Sequence, residues 1–214
     1  MTPCRIVVLI SGSGSNLQAL IDASERGDID GRIVAVLSNR PGVKGLERAS
    51  AHNIPAITID HTGYPDRESF DQALAQKIDA YEPDLIVLAG FMRILTDEFV
   101  ERYGGRMLNI HPSLLPNFQG LNTHQRAIDA GVSEHGVSVH FVTPELDGGP
   151  VVRRASVPVL PNDSADTLAA RVLKQEHRIY PEAVGLFAAG RLKLQDNVAQ
   201  LDGQPIAQLP RTAE

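Results

Sequence analysis

The sequence contains one cysteine, no excess of basic residues and no long apolar segment. Cys4 alone cannot form an intrachain disulfide or supply a cysteine-rich zinc site, which favours a reducing compartment. The 26 acidic residues outnumber the 20 Lys and Arg residues, and the net charge of -6 argues against a general nucleic-acid binder. The apolar run at 5–11 is too short to span a bilayer, and no signal-peptide cleavage pattern follows it. We therefore expect a cytoplasmic protein that binds neither nucleic acid nor membrane.

What is present is the composition of an ordinary globular protein. The 214 residues are 43% hydrophobic and 21% charged, which is sufficient to bury a full core. No heptad, internal repeat or low-complexity tract divides the chain. We predict a single domain over residues 1–200, followed by a loose C-terminal tail at 201–214.

Short apolar runs alternate with helical patterns through the first half of the chain. Strands are predicted at 5–11, 32–39, 55–60, 84–90 and 107–111, and helices at 16–27, 45–53, 66–81 and 96–103, the last with Thr96 as its N-cap. This β-α-β alternation predicts an α/β fold with an open, mostly parallel, twisted sheet that carries helices on both faces.

The pattern changes after residue 120. Residues 136–142 alternate between apolar and polar side chains, and 151–159 also has the character of a strand. These two segments are expected to add antiparallel strands to the edge of the sheet. Residues 163–191 predict a long helix, interrupted or kinked near Pro181.

Ligands of open α/β sheets bind beyond the carboxyl ends of the strands. The first loop at that edge, SGSGSN, lies between a strand and a helix, where glycine amides and the helix N-terminus favour an anion. It lacks the Gly-Lys-Ser/Thr of a Walker A loop, and Leu17 stands where a dinucleotide fingerprint has its third glycine. We interpret it as a phosphate cradle, and a tight turn with a serine cap is the alternative.

The loop AGFMRIL follows the fourth predicted strand. Met92, Ile94 and Leu95 could line an apolar slot, with Arg93 near an anionic group. The alternative is a loop that covers the core and carries a surface arginine.

Two polar residues, Asn109 and His111, share one face of the fifth predicted strand. An amide and a protonated imidazole are both hydrogen-bond donors, so together they could stabilise an oxyanion. A satisfied polar strand end fits the same residues. Asp147, in ELDGGP, could pair with a charged group or could belong to an ordinary Asp-Gly turn.

Glu176 interrupts an apolar i, i+4 stripe of the long predicted helix and therefore needs a partner. That partner could be ligand hydroxyls, or a neighbour such as His177 or Arg178. None of the histidines forms a motif such as H-E-x-x-H, so no metal is expected. His124 and His140 could lie near the site or could be ordinary polar residues. Ser11, Ser13 and Ser15 lack the G-x-S-x-G context of a nucleophile, which disfavours covalent catalysis.

Five segments in this order and spacing, ISGSGSNLQA, VLAGFMRIL, LNIHPSLLP, HGVSVHFV and ELDGGPV, resemble the phosphoribosylglycinamide formyltransferases. This family of folate-dependent enzymes transfers a formyl group in purine synthesis. The resemblance covers residues 5–200 and implies a Rossmann-like formyltransferase fold. The glycine loop, the length and QEHRIYP favour this family over other enzymes that use 10-formyltetrahydrofolate.

The resemblance also implies a reaction and a set of site residues. The amine of glycinamide ribonucleotide (GAR) would attack the formyl carbon of 10-formyltetrahydrofolate, the co-substrate. Asn109 and His111 would stabilise the oxyanion, and Asp147 would support the charged form of His111. Residues that would bind GAR are Gly14, Ser15, Asn16, Gln175 and Glu176. Residues that would bind the folate are Arg67, Met92, Arg93, Ile94, Leu95, Thr143, Pro144, Glu145 and Leu146.

Further implications are a mobile flap at 112–135 and a monomer or weak homodimer. Asn122 stands where some members have a histidine, so any role of a histidine there does not apply to this chain. The alternatives are a formyltetrahydrofolate hydrolase, with water in place of the amine, and a nucleotide- or folate-binding protein without catalysis. A methionyl-tRNA formyltransferase is disfavoured by the length and the acidic charge.

Overall fold

The strands of the main sheet alternate with helices along the chain, as the sequence pattern predicts. A computed structural model describes residues 2–208. The strands of the main sheet are β1 Cys4–Ile10, β2 Gly31–Ser38, β3 Ala56–Thr58, β4 Leu85–Leu88, β5 Met107–His111, β6 Glu134–Phe141 and β7 Val151–Pro158. The helices are α1 Ser15–Arg26, α2 Lys44–Ala51, α3 Arg67–Asp79, α4 Asp97–Arg102, α5 Thr123–Asp129 and α6 Ala165–Ala188, with a short 3-10 turn at His61–Gly63.

The strand order of the seven-stranded sheet is β3-β2-β1-β4-β5-β6-β7. Neighbouring strands from β3 to β5 are parallel. Both β6 and β7 pair in antiparallel fashion, which confirms the predicted antiparallel edge. The chain reverses its direction across the sheet between β1 and β4, and ligand sites of open α/β sheets lie outside such a point.

Two apolar cores cover the two faces of the sheet. On one face α1 and α6 pack through residues such as Leu17 and Val172. On the other face α3 and α4 pack through residues such as Phe70 and Phe99. The residues of β5 alternate between the two faces of the sheet, as period-two strand geometry requires. Leu108 and Ile110 face the first core, and Met107 faces the second.

Helix boundaries follow local signals in the sequence. Gly27 ends α1 in the left-handed conformation with φ 82°, where glycine carries no Cβ penalty. The hydroxyl of Thr96 accepts a hydrogen bond from the backbone N–H of Phe99, so Thr96 caps α4 as predicted. Ser164 and Thr167 form a capping box at the start of α6.

Three predicted elements differ from the structure. α6 continues through Pro181 as one helix, so the predicted interruption is wrong, and the ring is accommodated among buried residues. β3 covers only Ala56–Thr58, because it pairs only with β2 at the sheet edge and only Val36–Ser38 of that strand are in register with it.

The third difference concerns the predicted loose tail. β8 Leu192–Gln195, β9 Val198–Leu201 and β10 Gln204–Pro205 form a separate antiparallel sheet. The start of the predicted tail, 201–205, is therefore not loose, because Leu192 and Ala199 of this sheet are buried in the first core. The remainder of the tail beyond 208 lies outside the described residues, and the extent of a single domain stays a prediction.

Tyr180 joins the end of β4 and the second residue of β5 to α6. Its fully buried hydroxyl lies 2.7 Å from the carbonyl oxygen of Leu88 and 3.1 Å from that of Leu108, so it donates a hydrogen bond that the two carbonyls share. The ends of these two strands precede two of the loops at the candidate site.

Replacing Tyr180 by Phe should lower the free energy of unfolding by about 1–2 kcal/mol, because buried carbonyls lose their donor. Urea denaturation measures this loss. Hydrogen exchange should also accelerate at the ends of β4 and β5. Tyr103→Phe is the matched control, since its buried hydroxyl donates to Asp79 at 2.8 Å in the other core. Equal acceleration at β4 and β5 in both variants would contradict the role of Tyr180.

Candidate active site

The glycine loop after β1 packs directly against the start of α2. Gly14 has φ 70°, and a Cβ at this position would lie 2.6 Å from the Cα of Gly45. The backbone N–H of Gly45 donates to the carbonyl of Gly12 at 3.0 Å, which fixes the turn. α1 begins at Ser15, and the first turn of a helix has backbone N–H groups without intrahelical acceptors. The loop therefore presents a helix N-terminus that suits an anion.

Asn16 and Glu176 come together from α1 and α6. The amide nitrogen of Asn16 donates to a carboxylate oxygen of Glu176 at 2.7 Å. Burial raises the pKa of Glu176, and the Asn16 hydrogen bond partly offsets this effect. The amide oxygen of Asn16 is buried and has no hydrogen-bond partner among the described residues. A ligand hydroxyl or N–H is the kind of group that would satisfy this oxygen.

Of the two neighbours suggested as partners of Glu176, Arg178 is engaged elsewhere, and the buried Nε2 atom of His177 has no hydrogen-bond partner among the described residues. Arg178 donates to Gln175 at 3.1 Å and forms an ion pair with Glu182 at 3.1 Å. The structure thus brings Asn16 and Glu176 together, whereas the Gln175 amide oxygen accepts from Arg178.

Ser11 connects two of the loops at this edge of the sheet. Its buried hydroxyl donates to Asn39 at 2.6 Å and accepts from the backbone N–H of Met92 at 2.7 Å. Sequence reasoning considered this serine only as a nucleophile and missed the bridge, because the contacts span 28 and 81 positions in the chain.

The loop after β4 separates its apolar residues into two groups. Met92 and Ile94 are 60% and 59% exposed, whereas Phe91 and Leu95 are buried in the second core. Of the three residues predicted to line an apolar slot, Met92 and Ile94 are therefore exposed, whereas Leu95 is buried beneath the loop, and the slot itself stays a prediction.

Arg93 and Arg67 both lie close enough to the buried carboxylate of Asp71 for their charges to act on it. The Arg93 guanidinium stacks over the ring of Phe70, 4.7 Å from its centroid. Asp71 is buried and accepts a hydrogen bond from the backbone N–H of Thr96 at 2.6 Å. Burial raises the pKa of Asp71, while the Thr96 hydrogen bonds and the charges of Arg93 and Arg67 act in the opposite direction. The sequence did not predict a buried role for Asp71, because nothing in it distinguishes this residue from the other polar residues of α3.

Asn109, His111 and Asp147 meet in one place, although Asp147 is far away in the sequence. The Nδ1 atom of His111 lies 3.4 Å from a carboxylate oxygen of Asp147, and both side chains are less than a tenth exposed. Its Nε2 atom lies 2.9 Å from the carbonyl oxygen of Phe118. An oxygen acceptor therefore faces each of the two ring nitrogens.

A strained turn sets the position of Asp147. The residue has φ 50°, in the left-handed region, and a Cβ at Gly149 would overlap the carbonyl oxygen of Phe141. One carboxylate oxygen of Asp147 accepts a hydrogen bond from the backbone N–H of Gly120 at 2.9 Å. The amide nitrogen of Gln119 donates to the Asp147 carbonyl at 3.1 Å. Thr143 on this loop is half-buried, and the exposed residues between it and the turn are Pro144, Glu145 and Leu146.

The predicted flap covers this site in the structure. The hydroxyl of Ser138 donates to the carbonyl of Ser113 at 2.7 Å, and the hydroxyl of Thr123 donates to that of Pro112 at 2.7 Å. Asn122 adopts the left-handed conformation with φ 56° at the start of α5, a conformation that asparagine tolerates better than most residues. The mobility of residues 112–135 stays a prediction.

His140 belongs to the site, a question that the sequence left open. Its Nε2 atom lies 3.2 Å from the amide nitrogen of Asn109 and 3.8 Å from a carboxylate oxygen of Asp147. The alternation of GVSVHFV placed Ser138 and His140 on one face, but only the pairing of β6 with β5 puts His140 opposite Asn109. The ring centroid of His124 lies 5.2 Å from that of His135.

Two kinds of feature are absent from the described residues. Within residues 2–208, no group of three or more His, Cys, Asp and Glu side chains could hold a metal ion. Over the same range, no helix has the length and apolar character needed to cross a membrane.

The fold and the site agree with a known family. A sequence profile described as Formyl transferase matches residues 4–184, and the chain belongs to the formyl transferase family. Its relatives include the phosphoribosylglycinamide formyltransferase of Escherichia coli (strain K12), which is 56% identical over 94% of both chains. The phosphoribosylglycinamide formyltransferase of Coxiella burnetii, solved in complex with CHES, has a TM-score of 0.92 and 53% identity over 96% of each chain. The human trifunctional purine biosynthetic protein adenosine-3 is 45% identical over 90% of this chain, but only 19% of that longer protein is covered.

Gly149→Ala should displace the Asp147 turn, because the new methyl group would meet backbone that cannot move aside. We expect the free energy of unfolding to fall by about 2 kcal/mol or more, as measured by urea denaturation. Gly148→Ala is the matched control, since a Cβ there would meet only the flexible side chain of Glu145. Equal stability of the two variants would contradict the requirement for glycine at 149.

Proposed function

We propose that this formyl transferase family member transfers the formyl group of 10-formyltetrahydrofolate to the amine of GAR in de novo purine synthesis, in the cytoplasm and as a monomer or weak homodimer. The single observation that carries the proposal is the convergence of Asn109, His111 and Asp147 between an anion-binding loop and an exposed apolar loop. A protein that only binds nucleotides or folates would not need these three groups together.

The GAR subsite would lie over α1 and α6. Gly14, Ser15 and Asn16 would hold the phosphate at the helix N-terminus, where backbone N–H groups and the helix dipole favour an anion. Glu176 would accept hydrogen bonds from the ribose hydroxyls, and the unpartnered amide oxygen of Asn16 supports a polar ligand at this place. Gln175, one position earlier on α6, is proposed for the same subsite.

The folate subsite would lie between the loop after β4 and the Asp147 loop. Exposed Met92, Ile94 and Leu146 offer apolar surface for a flat ring system. Backbone groups of the 143–146 segment would recognise the polar ring edge, and Leu95 would support the loop from below. Arg67 and Arg93 would meet the carboxylates of the glutamate tail.

The reaction needs an attack on a carbonyl carbon and the departure of a nitrogen. The GAR amine would form a bond to the formyl carbon while the carbonyl electrons move to oxygen. The bond from this carbon to the folate nitrogen then breaks, the amine gives up a proton and the folate nitrogen accepts one. Asn109 would donate an N–H to the oxyanion, which is worth most in a site shielded from water.

His111 would support the oxyanion through its positive charge, and Asp147 would stabilise that charge. Because Nε2 faces the carbonyl of Phe118 in this flap position, a direct hydrogen bond to substrate requires that this carbonyl be displaced. The flap would therefore take part in setting when His111 can donate.

The test is to mix the purified protein with 10-formyltetrahydrofolate and to follow folate absorbance with and without GAR. Turnover that requires GAR is expected. Turnover without any amine would identify a hydrolase instead, and an absence of turnover with intact binding of GAR or folate would leave a binding protein.

Asn109→Ala and His111→Ala should each lower kcat by about a hundredfold or more, as the loss of an oxyanion donor does. Dissociation constants for the folate, measured by fluorescence quenching, should change much less. Lys193→Ala is the control, because Lys193 is exposed on β8, outside the candidate site. Turnover close to the unsubstituted protein in either site variant would refute the assigned roles.

A further inference from the structure

We propose that His140 is a positioning residue that fixes the orientation of the Asn109 amide, so that one amide N–H points toward the reacting carbonyl oxygen. This role deepens the proposed function and rests on it. Neither the family comparison nor the predicted catalytic set assigns His140 a part.

The hydrogen bonds of His140 define its tautomer. Its Nδ1 atom lies 2.8 Å from the carbonyl oxygen of Phe141, which can only accept, so Nδ1 must carry the proton. In the neutral ring Nε2 is then an acceptor. The amide nitrogen of Asn109 lies 3.2 Å from Nε2 and donates to it.

This contact removes the ambiguity of the amide. If the Asn109 side chain were flipped, its oxygen would face the Nε2 lone pair, and two acceptors would oppose each other. With the nitrogen toward His140, one N–H is used in the contact and the second remains to donate to another group. An amide that flipped freely would present its oxygen to an oxyanion for part of the time, and repulsion would replace stabilisation.

The surroundings keep His140 neutral. The ring is 2% exposed, and burial lowers its pKa to about 4. The charged groups that face it are Asp147, with a carboxylate oxygen 3.8 Å from Nε2, and His111. Asp147 and the Phe141 hydrogen bond raise this pKa, while His111 lowers it further. The contacts with Phe141 and Asn109 alone also indicate a neutral ring with its proton on Nδ1, independently of the pKa.

The backbone also singles out this residue. In the pairing of β6 with β5, His140 lies directly opposite Asn109. In the pairing of β6 with β7, the register shifts between Val139 and His140. The register passes over Val152, so the extra residue lies on β7, opposite the part of β6 that carries His140. The side chain that follows the shift is the one that contacts the amide.

A matched pair of substitutions separates the two contacts of the ring. His140→Gln retains a polar group near the position of Nε2 and can still accept from Asn109. His140→Asn retains a donor near Nδ1 for Phe141 but is too short to reach Asn109. We expect His140→Asn to lower kcat about ten- to a hundredfold with KM for GAR and folate little changed, and His140→Gln to retain most of the activity.

A double-mutant cycle tests whether the effect passes through Asn109. In the Asn109→Ala background, His140→Asn should cause no further loss, because the amide that it positions is absent. A loss as large as in the unsubstituted background would overturn the proposal, as would full activity of His140→Asn alone.

A spectroscopic measurement does not depend on turnover. Nitrogen NMR of the labelled full-length protein at pH 7 should report His140 as a neutral ring with the proton on Nδ1. A charged ring or a proton on Nε2 would overturn the proposal. If the unsubstituted protein shows no GAR-dependent turnover, the proposed function fails and the catalytic part of this role fails with it. An active protein with an additive cycle would refute the role of His140 alone.

Discussion

The candidate site depends on one carboxylate, that of Asp147. It lies near both His111 and His140 and accepts from the backbone of Gly120, so it joins two strands and the flap at a single point. A buried carboxylate is stable only when such partners compensate the lost hydration. Each of the three contacts therefore requires the others, and the turn through Gly149 is what delivers the group to this place.

The sheet determines where the other chemistry can go. The glycine loop, the apolar loop and the start of the flap each follow the carboxyl end of a parallel strand, at the place where the strand order reverses. Antiparallel β6 then returns beside β5 and supplies Ser138 and His140 to the same side.

Local patterns in the sequence predicted what depends on neighbouring residues. The strand at 107–111 and the cap at Thr96 follow from period-two alternation and from capping chemistry, and both are confirmed. The resemblance to the formyltransferases is also confirmed, while the roles of the individual site residues remain predictions.

The errors and omissions have a common physical cause. Pro181 was expected to break a helix, but its surroundings in the first core override the local preference. Ser11 and Asp71 act through partners distant in the chain or through backbone groups, so their residue types carry no signal. The strands beyond 191 were missed because short, mostly exposed strands lack a clear hydrophobic period.

The contact between Gly14 and Gly45 has an evolutionary consequence. Most tight packing positions can exchange volume, because a larger residue on one side is offset by a smaller one on the other. Here both partners already have no side chain, so neither position can be rescued by its partner. The two sites, 31 positions apart in the chain, are therefore restricted independently of each other, and the turn of the glycine loop cannot change through compensating pairs of substitutions.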